Sequence, residues 1–153
     1  MNPLARALLL GTATGLRTFM GAAWWSGAHP PGSGSVTREA RIERLLEQDG
    51  VALGMRLAAA AELVGDKLPA APDRISPGPL AARATMGALL GWAVADNRQE
   101  RVIACAAGAA AAVLSAYGGY WARRLITEAG AADLPVAAAE DAIAVALAAA
   151  GSR

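Results

Sequence analysis

The chain has 153 residues, 14 of them basic and 13 acidic, for a net charge of +1, and a single cysteine, Cys105. That length suits one domain; the even charge balance excludes a nucleic-acid footprint, which needs a basic face, and one cysteine excludes an intrachain disulfide framework. Apolar residues make up 55% of the chain and charged residues 18%, below the roughly 25% of soluble domains, so an all-α membrane protein is expected, with an alanine-rich soluble bundle as the alternative.

Taken in chain order, the first apolar segment runs over residues 4–25. It contains Arg6 and Arg17 and ends in Trp24-Trp25. Apolar character resumes directly after Arg17, which fits a first membrane helix with one buried charge better than a cleaved signal peptide. His29 to Ser35 reads as a Pro/Gly loop. Residues 37–47 are charged, with Ile42, Leu45 and Leu46 on one face, the pattern of an amphipathic surface helix. A second apolar segment, 51–68, carries Arg56, Glu62, Asp66 and Lys67. The stretch 69–79 holds four prolines, at 69, 72, 77 and 79, and cannot be helical throughout.

A third segment, 80–95, contains Arg83, and the short polar turn Asp96–Arg101 makes its flanking helices antiparallel neighbours. Residues 102–122 then run without a charge, long enough to cross a hydrocarbon core of about 30 Å. This segment ends in Tyr117, Tyr120 and Trp121, with Arg123 and Arg124 directly beyond, the expected interfacial anchor. The last segment, 135–150, starts at a proline and contains Glu140 and Asp141. The expected fold is a polytopic bundle of four to five membrane helices forming one domain over 1–153.

Small residues recur at packing spacing in Gly11-x-x-x-Gly15, Gly50-x-x-x-Gly54 and Gly87-x-x-x-Gly91, which permits close helix approach in a bilayer. Arg17-Thr-Phe-Met-Gly-Ala22 resembles Arg83-Ala-Thr-Met-Gly-Ala88, and Ala58 to Glu62 resembles Val136 to Glu140. A degenerate internal repeat would give each half one arginine helix and one carboxylate helix, with a site at the repeat interface.

The charges inside apolar segments are the candidate site. An arginine or aspartate at mid-helix costs at least about 2.5–3.5 kcal/mol to insert. Arg17, Arg56, Glu62, Asp66, Arg83, Glu140 and Asp141 must therefore face one another, a polar cavity or the interface. Glu62 and Asp66 share a helix face. Arg83 shares one with Gly87 and Gly91, and Arg17 with Gly21, so each arginine lies on a close-packing face and can meet a partner helix's carboxylate. Such pairs serve either as a polar pathway or headgroup site, or only to hold helix register.

Other chemistry is sparse. One histidine in a loop cannot supply a zinc site of the usual kind or a Ser-His-Asp set, and no phosphate-binding glycine loop is present. Glu62, Asp66 and Asp73 could hold a divalent cation through oxygen ligands alone. No cofactor is expected.

From Glu62 through Asp66-Lys67-Leu-Pro69 to Asp73-Arg74, Pro77 and Pro79, the chain resembles the bacterial membrane proteins grouped as domain of unknown function 4126. Gly15-Leu-Arg17 and Ala139-Glu140-Asp141-Ala142 look similar in that context. The resemblance implies a polytopic protein of the bacterial inner (plasma) membrane and directs attention to Arg17, Glu62, Asp66, Lys67, Arg74 and Glu140. It implies no activity.

If all five segments span, the basic residues divide five against six and orient nothing. If 51–68 re-enters instead, the division becomes four against seven, with the N-terminus outside. The leading reading of function is a small transporter or channel, expected to be a homo-oligomer, with Arg17, Glu62, Asp66, Lys67, Arg74, Arg83, Glu140 and Asp141 forming its polar pathway for a small ion. The alternatives are a protein or enzyme handling a phosphorylated lipid headgroup through Lys67, Arg74 and Arg83, and a non-catalytic membrane scaffold. The lipid bilayer is the common partner in all three.

Overall fold

The computed structural model of the chain describes residues 1–29, 48–65, 75–130 and 132–153. These form six α-helices: α1 (Pro3–Leu16), α2 (Met20–Ala28), α3 (Asp49–Gly65), α4 (Pro77–Ala93), α5 (Arg98–Glu128) and α6 (Asp133–Gly151), with no strand among the described residues. The expected surface helix over 37–47 lies outside them.

Local chemistry sets several helix starts. Asn2 caps α1, its side chain accepting from Ala5 N at 2.7 Å, and Pro3 follows at the first helical position, where its missing N–H costs nothing. Pro77 opens α4 in the same way. Asn97 caps α5 by accepting from Glu100 N at 2.9 Å. Beyond α5, Gly130 adopts φ +92°, a left-handed conformation that glycine takes without a steric penalty.

The first apolar segment departs from expectation. In place of one helix over 4–25, the chain ends α1 at Leu16, turns through Arg17, Thr18 and Phe19, and returns as α2. Arg17 is extended, at φ −142° and ψ 112°. The return is antiparallel: Arg6 lies over the Trp25 ring, 5.1 Å from its centroid, and a Cβ on Gly21 would fall 3.1 Å from the Leu10 carbonyl oxygen. A continuous helix would hold Arg6 and Trp25 about 28 Å apart at 1.5 Å per residue. Both ends of this hairpin therefore lie at one end of the bundle, the first end.

The remaining helices alternate. Gly27 sits beside Arg56 of α3, and the α2 start sits beside Glu62, so α3 runs from the first end to the second. Gly91 meets Ala104 and Gly87 meets Gly108, so α4 returns and α5 crosses again. The turn between them is held by Arg101, whose Nε donates to Ala95 O at 2.9 Å and whose guanidinium lies over Trp92. Finally α6 returns to bring Gly151 against Leu10. Arg6 Nε donates to Gly151 O at 3.1 Å, so a cation meets the carbonyls of a helix C-terminus.

The core is made of small residues. Ala7, Ala13, Ala22, Ala104 and Ala112 are wholly buried. A Cβ on Gly87 would lie 2.5 Å from the Gly108 carbonyl oxygen, and Gly11 and Gly15 approach the α5 backbone at Gly108 and Ala112. Two of the three expected glycine pairs thus meet a neighbouring helix; Gly50 and Gly54 have nothing within 4 Å. Two helices, Arg98–Glu128 and Leu134–Gly151, are long and apolar enough to cross a membrane by length and composition. Among the described residues, the others run 14, 9, 17 and 17 residues, against the five spanning segments expected.

Candidate functional site

The turn between α1 and α2 leaves the amides at the start of α2 without the helical acceptors that a continuous helix would give them. Glu62, reaching across from α3, fills that gap. Its Oε1 accepts from Thr18 N at 2.8 Å and from Thr18 Oγ1 at 2.8 Å, and its Oε2 accepts from Phe19 N at 3.2 Å. The carboxylate also lies at the positive end of the α2 dipole. It thus caps a helix from a distant part of the chain, where a local Asp or Ser usually serves.

Two arginines complete the cluster. Arg83 of α4 approaches Glu62 Oε1 with Nη2 at 3.5 Å. Arg17, at the turn itself, donates from Nε to Asp141 Oδ1 of α6 at 2.6 Å, and its Nη2 pairs with the same oxygen. Both arginines are buried, at 1% and 3% exposure. Burial of this kind is tolerated only where charge and hydrogen bonds are both supplied. Among the described residues, four charges thus come together from four elements, two positive and two negative.

Their depth follows from the helix register. Gly87 lies level with Gly108, so Arg83, one turn earlier on the antiparallel α4, lies near Ala112 of α5. That is the midpoint of the uncharged 102–122 stretch. Leu16 reaches Gly119, which places the turn between that midpoint and the second end. No pair of arginine and carboxylate here is local in sequence.

Of the eight residues expected to form the site, Arg17, Glu62, Arg83 and Asp141 converge. Glu140 sits to one side, its Oε1 2.9 Å from where a Cβ on Gly119 would be. It borders a groove of about 290 Å³ between α5 and α6 that Arg123 and Ile143 also line. Asp66, Lys67 and Arg74 lie outside the described residues, as does Asp73. Arg56 stands apart near Gly27 and is exposed. No group of three His, Cys, Asp or Glu side chains suited to a metal occurs among the described residues.

Sequence reasoning missed the backbone half of the site. The amides of Thr18 and Phe19 become donors only because the helix stops there, and no residue type announces that. Thr14 was also missed: its side chain is wholly buried, and its hydroxyl has no hydrogen-bond partner among the described residues.

Arg17 pairs with Asp141 and Arg83 with Glu62. No family model, curated protein or solved structure matches the chain, so the geometry stands alone in the functional argument.

Proposed function

We propose that this is a multi-pass protein of the plasma membrane, a small transporter or channel whose pathway passes through the charge cluster at the α1–α2 turn. One observation carries the membrane part: among the described residues, arginines are buried in the alanine-rich core while large apolar side chains lie exposed. Among the described residues the largest fully buried side chain is Arg17, while Leu114 is 72% exposed, Leu134 67% and Leu125 63%. Only 28% of the most apolar stretch of either α5 or α6 is buried. Large apolar surfaces on a protein mark a place where something covers them, and hydrocarbon would accept these side chains.

The dimensions agree. Arg101 and Arg123 bracket the uncharged stretch of α5 about 33 Å apart at 1.5 Å per residue, close to the thickness of the hydrocarbon core. At 17 residues, α3 and α4 are at the lower limit for crossing. The α1–α2 hairpin is then a re-entrant element, and its non-helical turn survives at depth because Glu62 accepts from its amides. Broken helices whose ends meet ions near mid-membrane are a recurring feature of transporters, which supports the pathway reading.

The hairpin also changes the orientation argument. Among the described residues, Arg6, Arg98, Arg101 and Arg153 belong to the first end, and Arg123 and Arg124 to the second. Four against two favours an N-terminus in the cytoplasm, opposite to the outcome of a re-entrant 51–68. The pairing of the four charges with one another favours a second reading, a membrane scaffold in which they only hold the helices together.

Flux separates the two. The purified chain in vesicles should pass sodium, potassium, chloride or formate at least tenfold faster than empty vesicles, and Asp141→Asn should change that rate while eluting like the parent protein. A folded protein that passes none of the four ions would leave the scaffold reading standing. In a Cys105→Ser background, single cysteines replacing Asn2 and His29 should react with impermeant reagents from the same side. Labelling of the two from opposite sides would contradict the re-entrant hairpin.

A further inference from the structure

We propose that the cleft between α2 and α3 holds a phospholipid of the surrounding leaflet, with its phosphate on the Arg56 guanidinium and its hydrocarbon against the small residues of α2. The proposal rests on the membrane part of the reading above. It concerns a place outside the charge cluster and gives Arg56 a role that the pathway does not.

Arg56 lies within the apolar run of α3, yet the cluster does not take it up. It is exposed, and no carboxylate among the described residues pairs with it. An arginine left to hydrocarbon is costly, and long basic side chains relieve that cost by reaching to the interface. The Arg56 side chain leans that way. Counted from the contact between Glu62 and Phe19, Gly27 lies eight residues on along α2 and Arg56 six residues back along α3. Arg56 Nη2 sits 3.5 Å from where a Cβ on Gly27 would be. At 1.5 Å per residue the guanidinium is therefore displaced about 3 Å toward the first end of the bundle. Helical Cα–Cβ bonds tilt toward the helix N-terminus, which for α3 is that same end.

A cleft of about 440 Å³ opens beside the guanidinium, lined by Ala23, Trp24, Gly27 and Ala28 of α2 and by Arg56. Three of the four α2 residues are alanine or glycine, so the helix offers a wall with little side chain on it. Gly27, Ala28 and Arg56 are exposed and Trp24 is 41% exposed, so the cleft faces away from the bundle. Charge selects the occupant. A planar guanidinium binds phosphate oxygens through paired N–H donors, and a phosphodiester carrying hydrocarbon meets the cation and the apolar wall together. Basic pockets between membrane helices bind lipid headgroups in this way. Trp24 adds an indole, a ring that favours headgroup depth. Inorganic phosphate would gain the cation alone.

The test uses the full chain purified in detergent, with dioleoyl phosphatidylglycerol as the probe and bound lipid counted by native mass spectrometry. The parent protein should bind the lipid, and Arg56→Ala should raise the half-saturating concentration at least about fivefold, the weight of a charge-assisted hydrogen bond. Gly27→Leu keeps the charge and fills the cleft, so it should also weaken binding, and it decides the matter should Arg56→Ala fail to fold. Arg98→Ala removes an exposed charge from the same end and should leave binding unchanged. A smaller rise in Arg56→Ala, an equal rise in Arg98→Ala, or unchanged binding in Gly27→Leu overturns the proposal. So does displacement of the lipid by inorganic phosphate, which would make the free anion the ligand, and so does a parent that binds no lipid because another segment fills the cleft. A parent that stays soluble without detergent overturns the membrane reading as well; one that inserts into vesicles but shows no dependence on Arg56 overturns this proposal alone.

Discussion

Arg17-Thr-Phe-Met-Gly-Ala22 and Arg83-Ala-Thr-Met-Gly-Ala88 are nearly the same hexapeptide, yet the chain turns back at the first and runs straight through the second. Neither contains proline, and both place glycine at the fifth position. Thr18 is a weaker helix former than Ala84 by up to about 0.7 kcal/mol, and Phe19 is about equal to Thr85, too little to break a helix. What differs is the neighbour. At the first site Glu62 accepts from two backbone amides and a hydroxyl. At the second, Gly87 packs against the Gly108 backbone of α5, which leaves no opening for a side chain to reach the helix amides. Similar local sequence thus takes two conformations because one face meets a carboxylate and the other a close-packed helix.

The strongest way to break this comparison is to remove the carboxylate. Glu62→Ala strips the turn of its acceptor and removes the carboxylate that faces the buried Arg83, which should cost about 3–5 kcal/mol. The loss is readable as a lower thermal midpoint in detergent, followed through the four tryptophans. A smaller effect is expected from Gly87→Ala, whose new Cβ meets backbone rather than a movable side chain; about 1–3 kcal/mol follows from overpacking. Replacing Thr18 by Ala and Phe19 by Thr makes the two hexapeptides identical. The turn should persist, at a cost of about 1 kcal/mol for the lost hydroxyl bond, and cysteines at positions 2 and 29 should still label from one side. If they label from opposite sides, local sequence and not Glu62 makes the hairpin. Least of all, Gly54→Ala should be neutral or stabilise by up to about 0.5–1 kcal/mol, because Gly54 is exposed with nothing within 4 Å.

That last contrast shows where the glycine pattern was informative. Three small-residue pairs had the same spacing, and only those at Gly11/Gly15 and Gly87/Gly91 meet another helix. Spacing identifies a face that permits close approach; it does not identify a partner. The partner they share, Gly108, sits in an alanine run with no motif of its own. The charges were more legible. Arg17, Glu62, Arg83 and Asp141 stood out because an unpaired charge in an apolar helix is costly, and that cost brings them together. Which arginine would take which carboxylate was not legible, since several pairings neutralise equally well.

The sequence by itself determined that the described chain is helical, that its helices are bare enough to pack closely, and that a few buried charges must find one another. Composition and periodicity carry those results, because each depends on what a residue is and on neighbours within one or two turns. Only the tertiary structure decided that residues 4–25 fold back on themselves, and with that which helix ends share a face of the bundle. The reason is physical: the turn is held by a carboxylate more than forty positions away, and backbone amides look alike in sequence until the helix that would have satisfied them stops.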